Sequence, residues 1–336
     1  MKIHGLCLIK NEADVIAECL TTACAWCDHI YVRDNGSTDG TWEIVKTLAS
    51  SHPQIVPYKQ DNTMFHDGLR RELFMAFAGR AQADDWWCRL DADEFYVEKP
   101  RVFLCKIPDH YGIVWSASLS FYFSSADAES YRHDPSRFAD DIPVGQKCRF
   151  YFNHWSEIRF VRHRDLQIWP ATQEGWPKDI AQRARSCPIR ILVKHYPYRS
   201  PQQIERRIAT RSASAVAGKV FQHEAIANWS ATVEPSAVQR HRWKDLVLIT
   251  DPQKMERTWE SRVINASSLN YDAHDDRYVI NEHLMPPIPD LDGRGKSSQS
   301  GQTSLRRRTA DWGKSAMPHV WQILHGLKQR CFPIKQ

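Results

Sequence analysis

The chain has 336 residues, 42% hydrophobic and 25% charged, with 13 tryptophans and a net charge of +5. Such a composition is too apolar for a disordered chain, and no stretch approaches the roughly eighteen uncharged apolar residues that span a bilayer. The charge is uneven: residues 293–336 carry nine Lys/Arg against one acid, or +8, so residues 1–292 carry −3, the reverse of a nucleic-acid-binding body with a neutral tail.

In chain order, Ile3–Ile9 is an apolar run of strand length, too short for a signal peptide, that turns polar at Lys10-Asn11-Glu12. Asn11 is expected to cap a helix, with Asp14 as a second partner for the free amides and Val15, Ile16, Cys19 and Leu20 on its apolar face. The spacing Cys24-Ala25-Trp26-Cys27 reads as ordinary helix packing, because no second pair completes a metal site; nine scattered cysteines suit reduced thiols and a cytoplasmic setting. A second strand, His29–Arg33, stops at the polar, glycine-bearing loop Asp34–Gly40, which opens a helix from Thr41 to about Ser50. Ile55–Lys59 is a third strand. A helix from Asp67 follows, with Leu69, Leu73 and Phe77 on one face. Trp86–Leu90 is a fourth strand, running into Asp91-Ala92-Asp93-Glu94-Phe95.

Strands alternating with helices predict an α/β chain with a doubly wound sheet, whose ligands bind beyond the carboxyl ends of the strands. The clusters Lys10–Glu12, Asp34–Asp39 and Asp91–Glu94 all fall at such ends. Further strands are expected at Ile113–Ala117, Arg159–Arg162 and Ile189–Lys194. Ser200-Pro201-Gln202-Gln203 is a helix start, with helical pattern to about Lys219 and again over Val238–Leu248. Pro286–Pro289 and Gly295–Ser304 read as linker, and a short helix is expected over Val320–Gln329.

Two acids one residue apart at a strand end, as at Asp91 and Asp93, can converge on a hard divalent cation; the same spacing at Asp290-Leu291-Asp292, in the proline-rich stretch, carries no such context. An ion held there would neutralise a diphosphate leaving group. Most of the tryptophans are expected in the core, although a flat ring also suits a sugar face.

Lys10-Asn11-Glu12, Asp34 to Thr41, Arg70-Arg71, Leu90 to Phe95 and His195-Tyr196-Pro197-Tyr198-Arg199-Ser200-Pro201 together resemble a family 2 glycosyltransferase, more narrowly its bacterial branch with D-A-D-E-F and a later H-Y-x-x-R-S-P. The resemblance covers about residues 1–215. It implies a GT-A fold, a doubly wound mixed sheet with a Rossmann-like N-terminal half and an appended helical C-terminal region. It also implies a nucleoside-diphosphate sugar donor, a glycan or lipid-linked acceptor, and Mn²⁺ or Mg²⁺. By position, Asn11, Asp34 and Asn35 would line the nucleoside pocket, Arg70 or Arg71 would face the donor, and Asp91 would contact the ribose or base side. Asp93 would ligate the metal, with Asp91 beside it. His195 would complete the metal or diphosphate site, a structural histidine being the alternative. Asn35 stands where a second aspartate is common, which leaves the base identity open.

An inverting transfer needs a base for the acceptor hydroxyl. Glu174, beside Trp176, stands at the family's expected distance; Glu157 is the second candidate and Asp179 the third. Gln239-Arg240-His241-Arg242-Trp243 matches a motif of membrane-embedded synthases, but no membrane helices accompany it. The expected division is a catalytic domain at 1–215 (donor half 1–95, acceptor half 96–215), a helical extension at 216–284, a linker at 285–311 and a basic amphipathic tail at 312–336, suited to peripheral contact with an anionic inner membrane face. Two alternatives stay open: an inactive glycosyltransferase-like binding protein, and a sugar-phosphate nucleotidyltransferase. The glycine-free run Ile9–Asp14 argues against the second.

Overall fold

The computed structural model describes residues 1–63, 65–66, 68–123, 125–148, 150–155, 157–166, 169–170, 176, 180–187, 189–218, 228–230, 269–272 and 277–280. The chain divides into two compact units, residues 1–291 and 292–336, and every described residue belongs to the first. The expected helices at 238–248 and 320–329, the linker and the tail lie outside the described residues.

The N-terminal half follows the hydrophobic pattern closely. β1 (Ile3–Ile9) is buried along its whole length. Its side chains alternate between two apolar layers: Ile3, Cys7 and Ile9 face one, and Leu6 the other. α1 (Ile16–Cys24) buries Ile16, Cys19, Leu20 and Ala23 against the first layer. β2 (His29–Asp34) runs one residue beyond its expected end. α2 (Thr41–Ser51), β3 (Ile55–Gln60), α3 (Leu69–Phe77) and β4 (Trp86–Leu90) follow in the expected order. Leu69, Leu73 and Phe77 are buried, with Leu73 and Phe77 joining Tyr31 and Trp87 in the second layer. β1 pairs in parallel with β2 and β4, so the sheet is covered on both faces, as continuous apolar strands require.

Asn11 corrects one expectation. The N-terminal cap position of α1 is Val15, with no side-chain capping bond. Asn11 instead takes a left-handed backbone conformation (φ 56°). Its carboxamide accepts from Thr38 N–H at 2.9 Å and donates to Thr210 Oγ1 at 2.9 Å. Asparagine tolerates this region better than most side chains.

After β4 come β5 (Glu94–Tyr96), α4 (Pro100–Leu104), β6 (Ile113–Tyr122), α5 (Ser125–His133), α6 (Val144–Lys147), β7 (Phe150–Trp155), β8 (Ile158–Arg162), α7 (Ile180–Arg183), β9 (Ile191–Tyr198) and α8 (Pro201–Gly218). The strand order is β3-β2-β1-β4-β8-β6-β9-β5, with β7 beside β6. β4 and β5 are four places apart in this order, which in a flat sheet is about 19 Å at ~4.8 Å per strand. Only residues 91–93 connect them, and four Cα steps reach at most about 14 Å. The sheet must therefore curl, and β6, with register shifts against β8, β7 and β9, carries the bend.

Most of the helical extension expected at 216–284 lies outside the described residues. α8 ends at Gly218, and β10 (Leu269–Asp272) and β11 (Arg277–Ile280) form an antiparallel hairpin. Tyr271, Tyr278, Val279 and Ile280 have the β-branched and aromatic character that favours strands. Among the described residues, no helix is long and apolar enough to cross a membrane.

Candidate active site

The parallel register aligns three strand ends. Ile9 pairs with Asp34, and Cys7 with Leu90, so Lys10–Glu12, Asp34–Asn35 and Asp91–Asp93 emerge along one edge. β9 brings a fourth element: Glu94 pairs with His195, and Tyr196 N–H donates to the Asp93 carbonyl at 2.8 Å.

At the end of β2, Asp34 and Asn35 are buried, 0% and 2% exposed. Ser37 N–H donates to Asp34 Oδ1 at 2.6 Å, and Asn35 N–H to the Ile9 carbonyl at 2.8 Å. Asp34 Oδ2 and Asn35 Oδ1 have no hydrogen-bond partner among the described residues. Burial outweighs the hydrogen bonds from Ser37, Gly36 and Gln60 and raises the Asp34 carboxyl above its ordinary value. Two buried acceptors on consecutive residues suit a ligand bearing N–H or O–H donors.

Asp91 and Asp93 do not converge. Glu94 N–H closes a turn on the Asp91 carbonyl at 3.2 Å, and the two side chains reach different partners. Asp91 meets Arg70, Arg89 Nε at 3.1 Å and Arg159 Nη1 at 2.9 Å. Burial would raise its carboxyl, but these three guanidiniums outweigh burial and hold it well below the usual carboxylate range. Both oxygens thus already have guanidinium partners, Oδ1 with Arg70 and Oδ2 with Arg89 and Arg159. Arg70, expected to face the donor, is the partner of Asp91 instead, and Arg71 donates through Nε to the Trp169 carbonyl at 2.6 Å.

Asp93 stands 3.4 Å from His195 Nε2 and 3.9 Å from both Arg199 Nη1 and Arg207 Nη1. Burial opposes its ionisation, yet His195 first, then Arg199 and Arg207, bring its carboxyl below the ordinary value. For His195, burial works against the charge; Asp93 and Glu94 outweigh it and raise the imidazole. Octahedral bonds of about 2.1 Å put adjacent ligands about 3 Å apart. The Asp93–His195 separation is close to that, and among the described residues the guanidiniums nearest Asp93 stand 3.9 Å away, so this pair fits as two ligands of one divalent ion.

Glu157 is held by two arginines, Arg159 and Arg89, the latter at 3.0 Å. Each of its two oxygens therefore has a guanidinium partner, Oε1 with Arg159 and Oε2 with Arg89. Glu174 and Asp179 lie outside the described residues; Trp176, between them, stacks on Trp169 with ring centroids 5.3 Å apart and donates to the Ile158 carbonyl. Expectations from sequence omitted Arg89, Arg159, Arg199 and Arg207. Glu157, just before β8, and Arg159, two residues on, were a signal for one shared face; Arg199 lay inside the H-Y-x-x-R-S-P run.

Residues 8–110 match the family model described as Glycosyl transferase family 2. That segment holds the ends of β1, β2 and β4, and the match supports a glycosyltransferase. A search of curated proteins found no match. Among solved structures, the chain is similar to the mannosyltransferase PcManGT from Pyrobaculum calidifontis in complex with GDP-Man and Mn²⁺, at 12% identity, covering 76% of this chain and 72% of that one (TM-score 0.38). It is also similar to S. aureus TarS 1–349, at 11% identity over 76% and 86% of the two chains (TM-score 0.37). Mannosyl-3-phosphoglycerate synthase from Rubrobacter xylanophilus gives 15% identity over 70% and 78% (TM-score 0.33).

Proposed function

We propose that the chain is an inverting, metal-dependent family 2 glycosyltransferase that moves a sugar from a nucleoside diphosphate to a hydroxyl of a glycan or lipid-linked acceptor. One observation carries the reading. A segment matching the family has its strand ends beside the pair Asp93–His195, at the edge where a doubly wound sheet binds ligands.

Asp34 Oδ2 and Asn35 Oδ1 receive N–H donors of the nucleobase, and the buried pair excludes water from that contact. Asp93 and His195 would hold Mn²⁺ or Mg²⁺; such an ion, when bound, neutralises the diphosphate as it leaves. Arg207, 3.9 Å from Asp93 and over the Tyr198 ring, adds positive charge on the same side. The acceptor oxygen bonds to the anomeric carbon as the bond to the diphosphate oxygen breaks, and the hydroxyl proton passes to Glu174. Trp176, stacked on Trp169, offers a flat apolar surface to an acceptor sugar.

The test is to incubate the protein with Mn²⁺ and a panel of UDP-, GDP-, dTDP- and CMP-sugars and to measure nucleotide release. Release from one base class, abolished by chelation, is expected. Failure to release from any of them, with glycan and lipid-linked acceptors supplied, would overturn the proposal.

A further inference from the structure

Asp91, Glu94 and Glu157 each offer an oxygen within 4.8 Å of the other two, the spacing of a divalent-cation cage. A cation of the chain's own already stands among them. Arg159, 1% exposed in its side chain, donates from Nη1 to Asp91 at 2.9 Å and from Nη2 to Glu94, and Nη2 also meets Glu157. Arg89 bridges two of the same acids, with Nε 3.1 Å from Asp91 and Nη1 3.0 Å from Glu157. Arg70 holds the remaining oxygen of Asp91. Three carboxylates thus face three guanidiniums.

We infer that the Arg159 guanidinium is the resident cation of this cage, which makes Asp91 an anchor and confines any divalent ion to Asp93 and His195. Arg159 is a positioning residue. It holds the side chains at both ends of the turn from Asp91 to Glu94, with Asp93 between them. Its own strand, β8, is paired to β4 on one side and β6 on the other, so the anchor is a rigid part of the sheet.

Charge and burial make the cage selective against a free ion. A divalent ion entering this cluster would add positive charge beside three guanidiniums, and a displaced Arg159 would be buried without its acids. Among the described residues, the guanidiniums nearest Asp93, those of Arg199 and Arg207, stand 3.9 Å off.

The inference does not depend on sugar transfer, and binding of Mn²⁺ alone to the full chain tests it. Titration followed by electron paramagnetic resonance is expected to give the same affinity, within about twofold, for the wild type and Glu157→Gln. Arg159→Met is expected to bind one additional Mn²⁺ per chain, lost again in Arg159→Met/Glu157→Gln. A tenfold or greater loss of affinity in Glu157→Gln would overturn the inference, as would a folded Arg159→Met with no added ion. Should Arg159→Met not fold, the wild type and Glu157→Gln still decide. For the positioning role, Arg159→Lys is expected to lower kcat for nucleotide release with little change in donor KM; an effect on KM alone would overturn it. A wild type that binds no Mn²⁺ would support the closed cage while counting against the metal in the proposed function.

Discussion

Arg199 grips Asp14 at two points across 185 residues of chain: its Nε donates to Oδ2 at 2.8 Å and its Nη2 to Oδ1 at 2.9 Å, with both side chains 0% exposed. The same Nη2 reaches Glu12 at 2.6 Å, and Nη1 donates to the Tyr196 carbonyl at 2.9 Å. The contact ties the end of β9 to the segment after β1, so the edge that bears His195 is locked to the edge that bears Asn11. Burial would raise the Asp14 carboxyl, and the guanidinium outweighs it.

Removing one partner of a buried pair strands the other. Arg199→Ala is therefore expected to lower stability by about 3–5 kcal/mol, read from urea unfolding, and Arg199→Lys by less. Equal midpoints for Arg199→Ala and the wild type would contradict a buried clasp.

Asp93 has a different balance, because its side chain stands at the site rather than in the core. Asp93→Ala should cut metal-dependent nucleotide release by more than tenfold and keep the wild-type circular dichroism. Loss of a ligand to the leaving-group ion costs several kcal/mol of transition-state stabilisation, and each ~1.4 kcal/mol is tenfold in rate. A variant that retains a tenth or more of the rate would exclude Asp93 as a ligand.

The base is tested by two isosteric changes. Glu174→Gln is expected to lower turnover roughly 10²–10⁴-fold with nearly unchanged donor affinity. If Glu157→Gln carries that signature and Glu174→Gln does not, the role moves to Glu157 despite its two arginines.

Stability is expected to fall in mild acid because of His4. Its ring is stacked 4.7 Å from Trp87 and bonded to Tyr31 at 3.2 Å, and burial lowers its pKa from 6.5 to about 4. The unfolded chain binds the proton more readily across that window. Stability is thus complete above pH 6.5 and is lost as pH falls towards 4, by about 3 kcal/mol for this group. His29 and His163, also lowered chiefly by burial, act in the same direction. Unfolding free energies measured from pH 7 to 4 should show a slope that His4→Gln reduces; an unchanged slope would exclude His4 as a source.

The strands and helices of the first ninety residues were legible because each buries a face against a neighbour close in sequence. The continuous apolar run Ile3–Ile9 and the helical spacing of Leu69, Leu73 and Phe77 are local patterns. β5 escaped notice because three residues, Glu94–Tyr96, are too few for periodicity, and their pairing partner is β9, a hundred residues on. β10 and β11, four residues each, are likewise too short for a clear period.

At the site, the sequence by itself determined which residue types stand at the carboxyl ends of β1, β2 and β4, since strand length and loop polarity are written locally. Only the tertiary structure decided how the acids divide among the cations. Asp91 and Asp93 are one residue apart, yet the curl of the sheet hands one to Arg70, Arg89 and Arg159 and the other to His195, Arg199 and Arg207. Those partners lie up to 114 residues away in number, as Arg207 does from Asp93. Charge pairing depends on distance in space, and sequence spacing carries that information only within a single strand or helix.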